Sequence, residues 1–224
     1  MGSYLNPGSG LFEMALRSQI FVDKSGLIEK TNHCVRTLQR YMCVSRPRRF
    51  GKSMGVDMLA AYYDRSVNTK ELFQSLKIKS TKDYEKHLNQ YDVLKINMQE
   101  FLSATNDIEH MLKMLNEYLI FDLKEQYGQV RFRDEKNLVQ VMKDVYSYTK
   151  HPFVILIDEW DCLFREYQQD QEAQKKYLAD LIRYHELDLE PEWGALTKSR
   201  ASRMIDQIIL AHGRMEKRQR TEKK

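Results

Sequence analysis

Short apolar runs of strand-forming residues alternate in this chain with longer stretches in which apolar residues recur every third or fourth position. The short runs are residues 41–44 (YMCV), 91–98 (YDVLKINM) and 153–157 (FVILI). After the first, Met54, Met58, Leu59, Ala61 and Tyr62 fall at helical spacings, and after the second, Ile108, Met111, Leu112, Leu115, Leu119 and Leu123 form one stripe. A further helix is expected over about 138–148, leading to Pro152 and the third run. Strands separated by helices of this length predict an α/β fold, a parallel sheet flanked by helical crossovers. With 224 residues the chain can bury the core of one such domain and a small appendage.

Composition removes several function classes. Apolar runs such as 153–157 are far short of the roughly 20 residues that cross a bilayer, and the N-terminus lacks the basic-then-apolar order of a signal peptide. Asn6 stands where a myristoylation signal beginning at Gly2 would have Ser or Thr. No membrane partner and a cytoplasmic location are therefore expected. Cys34, Cys43 and Cys162 have no paired spacing, which reads as reduced thiols and not as a disulfide framework or zinc site. A net charge of +4 is too mild to call for a nucleic-acid partner.

The chemistry-bearing stretch is SRPRRFGKSM, residues 45–54, set between the first expected strand and the helix after it. Gly51-Lys52-Ser53 is the tail of a phosphate-binding P-loop, although Arg46 occupies the place of its usual first glycine. In such a loop backbone N–H groups and the dipole of the following helix face the phosphates. Lys52 would reach the β and γ phosphates and the Ser53 hydroxyl would hold Mg²⁺. A surface basic turn is the competing reading. The second signal is VILIDEWD, residues 154–161, a strand ending in adjacent carboxylates. That is a Walker B arrangement, in which Asp158 would hold Mg²⁺ through water and Glu159 would polarise the attacking water. Together the two motifs favour a nucleotide site.

The blocks RSQIFVDKSGLIE, YMCVSRPRRFGKSM, YDVLKINMQEF and FVILIDEWDCLFREY, taken in order, resemble the AAA-ATPase-like proteins of bacteria, whose P-loop domain is commonly followed by a PD-(D/E)xK nuclease-like domain. In that family RPRRFGKS is the ordinary loop. The resemblance implies ATP and Mg²⁺ as cofactors. It implies nucleotide contacts from Arg46, Pro47, Arg48, Arg49, Phe50, Gly51, Lys52, Ser53 and Met54, catalytic roles for Lys52 and Glu159, and metal contacts from Ser53 and Asp158. The block Phe21-Val22-Asp23-Lys24 is expected near the nucleotide base. The resemblance leaves off after about residue 178, where the family continues into another strand with a polar sensor residue. The expected fold is therefore a P-loop NTPase-type parallel sheet, incomplete at its C-terminal side, over residues 1–180. A helical tail over 181–213 and a basic end over 214–224 would follow.

In that tail, Ala201, Met204, Ile205, Ile208 and Ile209 recur at helical spacing between an expected N-cap, Thr197, and a stop, Gly213, which describes a helix needing a partner surface. Residues 214–224 carry Lys and Arg without interleaved aromatics, so a solvated end is favoured over a nucleic-acid contact. Asp134-Glu135-Lys136 spells the nuclease triplet (D/E)xK, but without a preceding strand Asp it reads as chance. His151 is expected in a turn, Cys162 buried, and Trp160 packed under the sheet edge. Two functions remain. One is a Mg²⁺-dependent ATPase coupled to a partner or to nucleic-acid processing. The other is a module that binds nucleotide, or a protein at its sheet edge or C-terminal helix, without turnover.

Overall fold

In the computed structural model, which describes residues 2–44, 50–105, 108–162 and 171–213, the first of two compact units spans Met1–Trp160. Its described helices are α1 (Gly10–Leu16), α2 (Gly26–Cys34), α3 (Lys52–Tyr63), α4 (Tyr84–His87), α5 (Met98–Ser103), α6 (Ile108–Gln126) and α7 (Leu138–Thr149). Two strands, β1 (Asp92–Asn97) and β2 (Phe153–Asp158), pair in parallel, with Asp92 opposite Phe153 and Asn97 opposite Asp158. A parallel pair needs a long crossover, and α5, α6 and α7 lie in it. The other edge of β1 is covered by the N-terminal segment: Asn6 N–H donates to Val93 O at 2.7 Å and Lys95 N–H to Tyr4 O at 2.9 Å. The α/β class with a parallel sheet flanked by helices thus holds.

Residues 41–44 do not form the expected strand. They are irregular and exposed, Tyr41 to 84%. Both edges of β1 are taken, and among the described residues β2 pairs only with β1. Strand-forming side chains without a ladder partner leave the backbone to water, so propensity alone makes no strand there. The expected stripe of α6 also narrows. Met111, Leu119 and Leu123 are buried at i+4 intervals, while Leu112, one residue round the helix, is 51% exposed. The stretch after α3 through Tyr84, expected as a polar connector, contains 3-10 turns at Lys70–Phe73 and Lys77–Ser80 before α4.

The core gathers around the last two turns of α3, where Met58, Leu59, Ala60, Ala61, Tyr62 and Tyr63 are all buried. A helix is buried all round only when neighbours surround it: α3 lies against β1 and β2 and against α1 and α2. The phenols of Tyr62 and Tyr63 both have partners, as burial of a polar group favours. Tyr62 Oη donates to Tyr84 O at 2.6 Å and accepts from Asn32 Nδ2 at 2.9 Å, while Tyr63 Oη donates to Asn32 Oδ1 at 2.8 Å. Phe73 stacks on Phe12 at 5.2 Å and meets Tyr62 edge-on at 5.5 Å. Burial pushes the Tyr62, Tyr63, Tyr84 and Tyr91 phenols well above their ordinary titration range.

The second unit, Asp161–Lys224, contains α8 (Gln171–Tyr184) and α9 (Lys198–His212), which pack together. Leu178 and Leu181 of α8 bury Ala201 and Ile208 of α9 with Leu196, and Met204, Ile205 and Ile209 line the edge of that cluster. The helix expected at the C-terminus therefore has its partner in α8. Thr197 sits at its N-cap through its backbone only, and Gly213, at φ 87°, ends it. None of the described helices is long and apolar enough to cross a membrane. No disulfide joins the cysteines, and Cys162 is buried as expected.

Candidate functional site

Gly51 caps α3 in the left-handed region, φ 69° and ψ 40°, a conformation glycine adopts without the Cβ penalty. From there the chain enters a twelve-residue helix whose first N–H groups have no partner within the helix. Lys52 is partly exposed and Ser53 exposed at that end, with Phe50 61% exposed beside them. Met54 is partly buried in the first turn. Arg46, Pro47, Arg48 and Arg49 lie outside the described residues.

The direction of α3 decides which sheet edge its start faces. Its last residues meet the beginning of β1: Tyr91 N–H donates to Tyr63 O at 2.9 Å, and Asn89 N–H to Tyr62 O at 2.8 Å. One and a half turns earlier, Asp57 pairs with Lys95 in the middle of β1. The helix thus runs antiparallel to the strands. From Asp57 to Lys52 is about 7.5 Å of helix, and from Lys95 to Asn97 about 6.6 Å of strand. Lys52 and Ser53 are thereby level with Asn97 and its partner Asp158, at the carboxyl edge where ligands of parallel sheets bind.

At that edge Asp158 ends β2 with 8% of its surface exposed, and its Oδ1 accepts the Glu159 N–H at 2.9 Å. Glu159 has φ 50°, the left-handed region that non-glycine residues rarely adopt. Asp158 is thus set at the buried strand end, and Glu159 stands, partly buried, in the left-handed turn that follows it. Trp160 is 39% exposed and does not pack under the sheet edge as expected. Asp134-Glu135-Lys136 belongs to a surface loop, Glu135 pairing with Lys124 and Asp134 accepting the Lys136 N–H. His151 follows α7, its N–H donating to Thr149 Oγ1 at 3.1 Å.

A family model described as "AAA-ATPase_like: Predicted AAA-ATPase" matches residues 11–195, well over half of the chain. The chain belongs to the AAA-ATPase-like family. No curated protein and no solved structure matches it. For a member of this family, the donor set at the carboxyl edge has a definite character. Among the described residues there is no group of three or more His, Cys, Asp or Glu that could hold a metal. A hydroxyl at Ser53 and a carboxylate at Asp158 suit a hard cation that keeps most of its shell as water and phosphate oxygens, the habit of Mg²⁺.

The structure of this AAA-ATPase-like chain also brings to the loop a residue outside the two motifs. Lys24 Nζ donates to Phe50 O at 2.5 Å, and a Cβ at Gly51 would run into the same ammonium. Its neighbour Asp23 accepts the N–H groups of Ser25 and Lys77 at 2.8 and 2.9 Å. Burial works to raise the Asp23 pKa, but these bonds outweigh it and hold the carboxyl below its usual range. The sequence signal for this contact was the FVDK block standing in order before the loop, without any indication of what it touches.

Proposed function

We propose that this protein binds Mg²⁺-ATP at the start of α3 and hydrolyses it, the observation carrying the reading being that the antiparallel run of α3 sets Gly51-Lys52-Ser53 level with Asp158. The free N–H groups of the helix start and its positive dipole end cradle the β-phosphate. The Lys52 ammonium bridges the β and γ phosphates and neutralises charge that grows on the leaving group. Ser53 Oγ and Asp158, the latter through water, would hold Mg²⁺, which when bound would supply charge neutralisation across the phosphate oxygens. Glu159, in the left-handed turn after Asp158, orients a water in line with the γ-phosphate and accepts its proton. Arg46 to Arg49 complete the loop by sequence, and the wider role is motion of a protein or nucleic-acid-processing partner.

A second reading, binding without turnover, draws on one observation: among the described residues the sheet has two strands, and 41–44 joins neither. Measuring Mg²⁺-ATP affinity and steady-state hydrolysis for wild type, Lys52→Ala and Glu159→Gln separates the two. Lys52→Ala is expected to weaken binding by about tenfold or more, the loss of a charge-assisted contact. Glu159→Gln is expected to bind as wild type and to lose turnover by about a hundredfold or more. Wild type that binds but shows no hydrolysis selects the second reading, and equal affinity in wild type and Lys52→Ala removes both.

A further inference from the structure

We propose that Lys24 is a positioning residue for the nucleotide loop, its ammonium holding the Phe50–Gly51 peptide so that the Gly51 N–H faces the phosphates; this rests on the nucleotide reading above. In a trans peptide the C=O and N–H point in opposite directions, and the described chain has no cis bond. The Lys24 Nζ bond to Phe50 O therefore turns the carbonyl, which would repel a phosphate, toward Lys24 and the Gly51 N–H to the far side. With glycine at 51 the ammonium sits here undisturbed, whereas a Cβ at this position would make it shift.

Lys24 is delivered from a stiff turn. Asp23 is tied to the N–H groups of Ser25 and Lys77, and Ser25, fully buried, accepts the Ile78 N–H on its Oγ at 3.1 Å. The turn that carries Lys24 is thereby braced against the Lys77–Ser80 turn, some fifty residues away in sequence. The partner of Lys24 among the described residues is a neutral carbonyl and no carboxylate, so its charge is left to favour a polyanion on the loop.

The test compares wild type, Lys24→Met, Lys24→Arg and Lys52→Ala in two measurements on the full chain. The first is the rate of tryptic cleavage after Arg49 without nucleotide; the second is the dissociation constant for Mg²⁺-ATP. Lys24→Met is expected to be cut several-fold faster and to bind about tenfold more weakly, the scale of one charge-assisted bond. Lys24→Arg, which can donate to the same carbonyl, is expected to restore both. Unchanged cleavage in Lys24→Met overturns the proposal, as does faster cleavage with wild-type affinity, or an Arg variant no better than Met. Equal affinity in wild type and Lys52→Ala removes the nucleotide reading and this proposal with it. Weak binding in Lys52→Ala but not in Lys24→Met removes this proposal alone.

Discussion

At Gly51 two features meet that glycine accommodates without strain, a left-handed backbone and the close approach of the Lys24 ammonium. Gly51→Ala should lower stability by about 1–2 kcal/mol for the left-handed conformation, and it should weaken Mg²⁺-ATP binding more than that figure implies, because the methyl displaces Lys24. Denaturant melts and nucleotide titration on the same variant check both; a variant that binds as wild type would show that neither feature matters to the site. At this scale the sequence was informative where neighbours in the chain do the work. Gly51-Lys52-Ser53 and Asp158-Glu159 are local patterns, and the structure sets them on a helix start and a strand end. The Lys24 contact was not legible, since it joins residues 26 apart and follows from how α2 and the Lys77–Ser80 turn pack. The left-handed turn at Glu159 also escaped notice, because nothing in a Glu predicts it.

Among the elements, α3 carries both the site and the core, with its opening turn exposed and its last two turns buried. The two ends should therefore respond differently to substitution. Met58→Ala, at a position 2% exposed, should cost about 2–5 kcal/mol by leaving a cavity, whereas Met54→Ala should change stability little and act on nucleotide affinity instead. Equilibrium unfolding and binding on the pair test this; an equal stability loss in both would contradict the division. The helices α3 and α7 and the strand β1 were legible because their apolar residues are the buried ones, whereas β2 was legible as an apolar run although Ile155 and Ile157 stand half exposed, and α6 buries only part of its stripe. The segment 41–44 was misjudged because strand propensity was read as if it made a strand without a ladder partner. The expectation that the C-terminal helix needs a partner was right, and α8 meets it within the second unit.

For the molecule as a whole, the family match over 11–195 shows the AAA-ATPase-like family, and the parallel pair β1–β2 shows the α/β architecture that the alternating runs implied. What periodicity could not supply is the way long-range polar contacts close the first unit. Asp122, buried on α6, accepts the N–H groups of Tyr4 and Leu5, and Asp64 accepts that of Gly8. Those contacts pin the N-terminal segment along β1, and their partners lie 56 to 118 residues away. The aromatic core has a further consequence. The chain has 13 tyrosines, and those at 62, 63, 84 and 91 keep their protons above the ordinary value of about 10. The unfolded chain would release those protons at that value, so folding stability is intact below pH 10 and declines as pH climbs past it. Alkaline titration followed by phenolate absorbance should show a gradual rise from surface rings, then a steep, cooperative step coinciding with loss of far-ultraviolet ellipticity. A single smooth curve for every ring would mean the cluster is open to water. The packing around α3 thus gives the protein a built-in optical gauge, in which colour change without any attached dye reports the collapse of its interior.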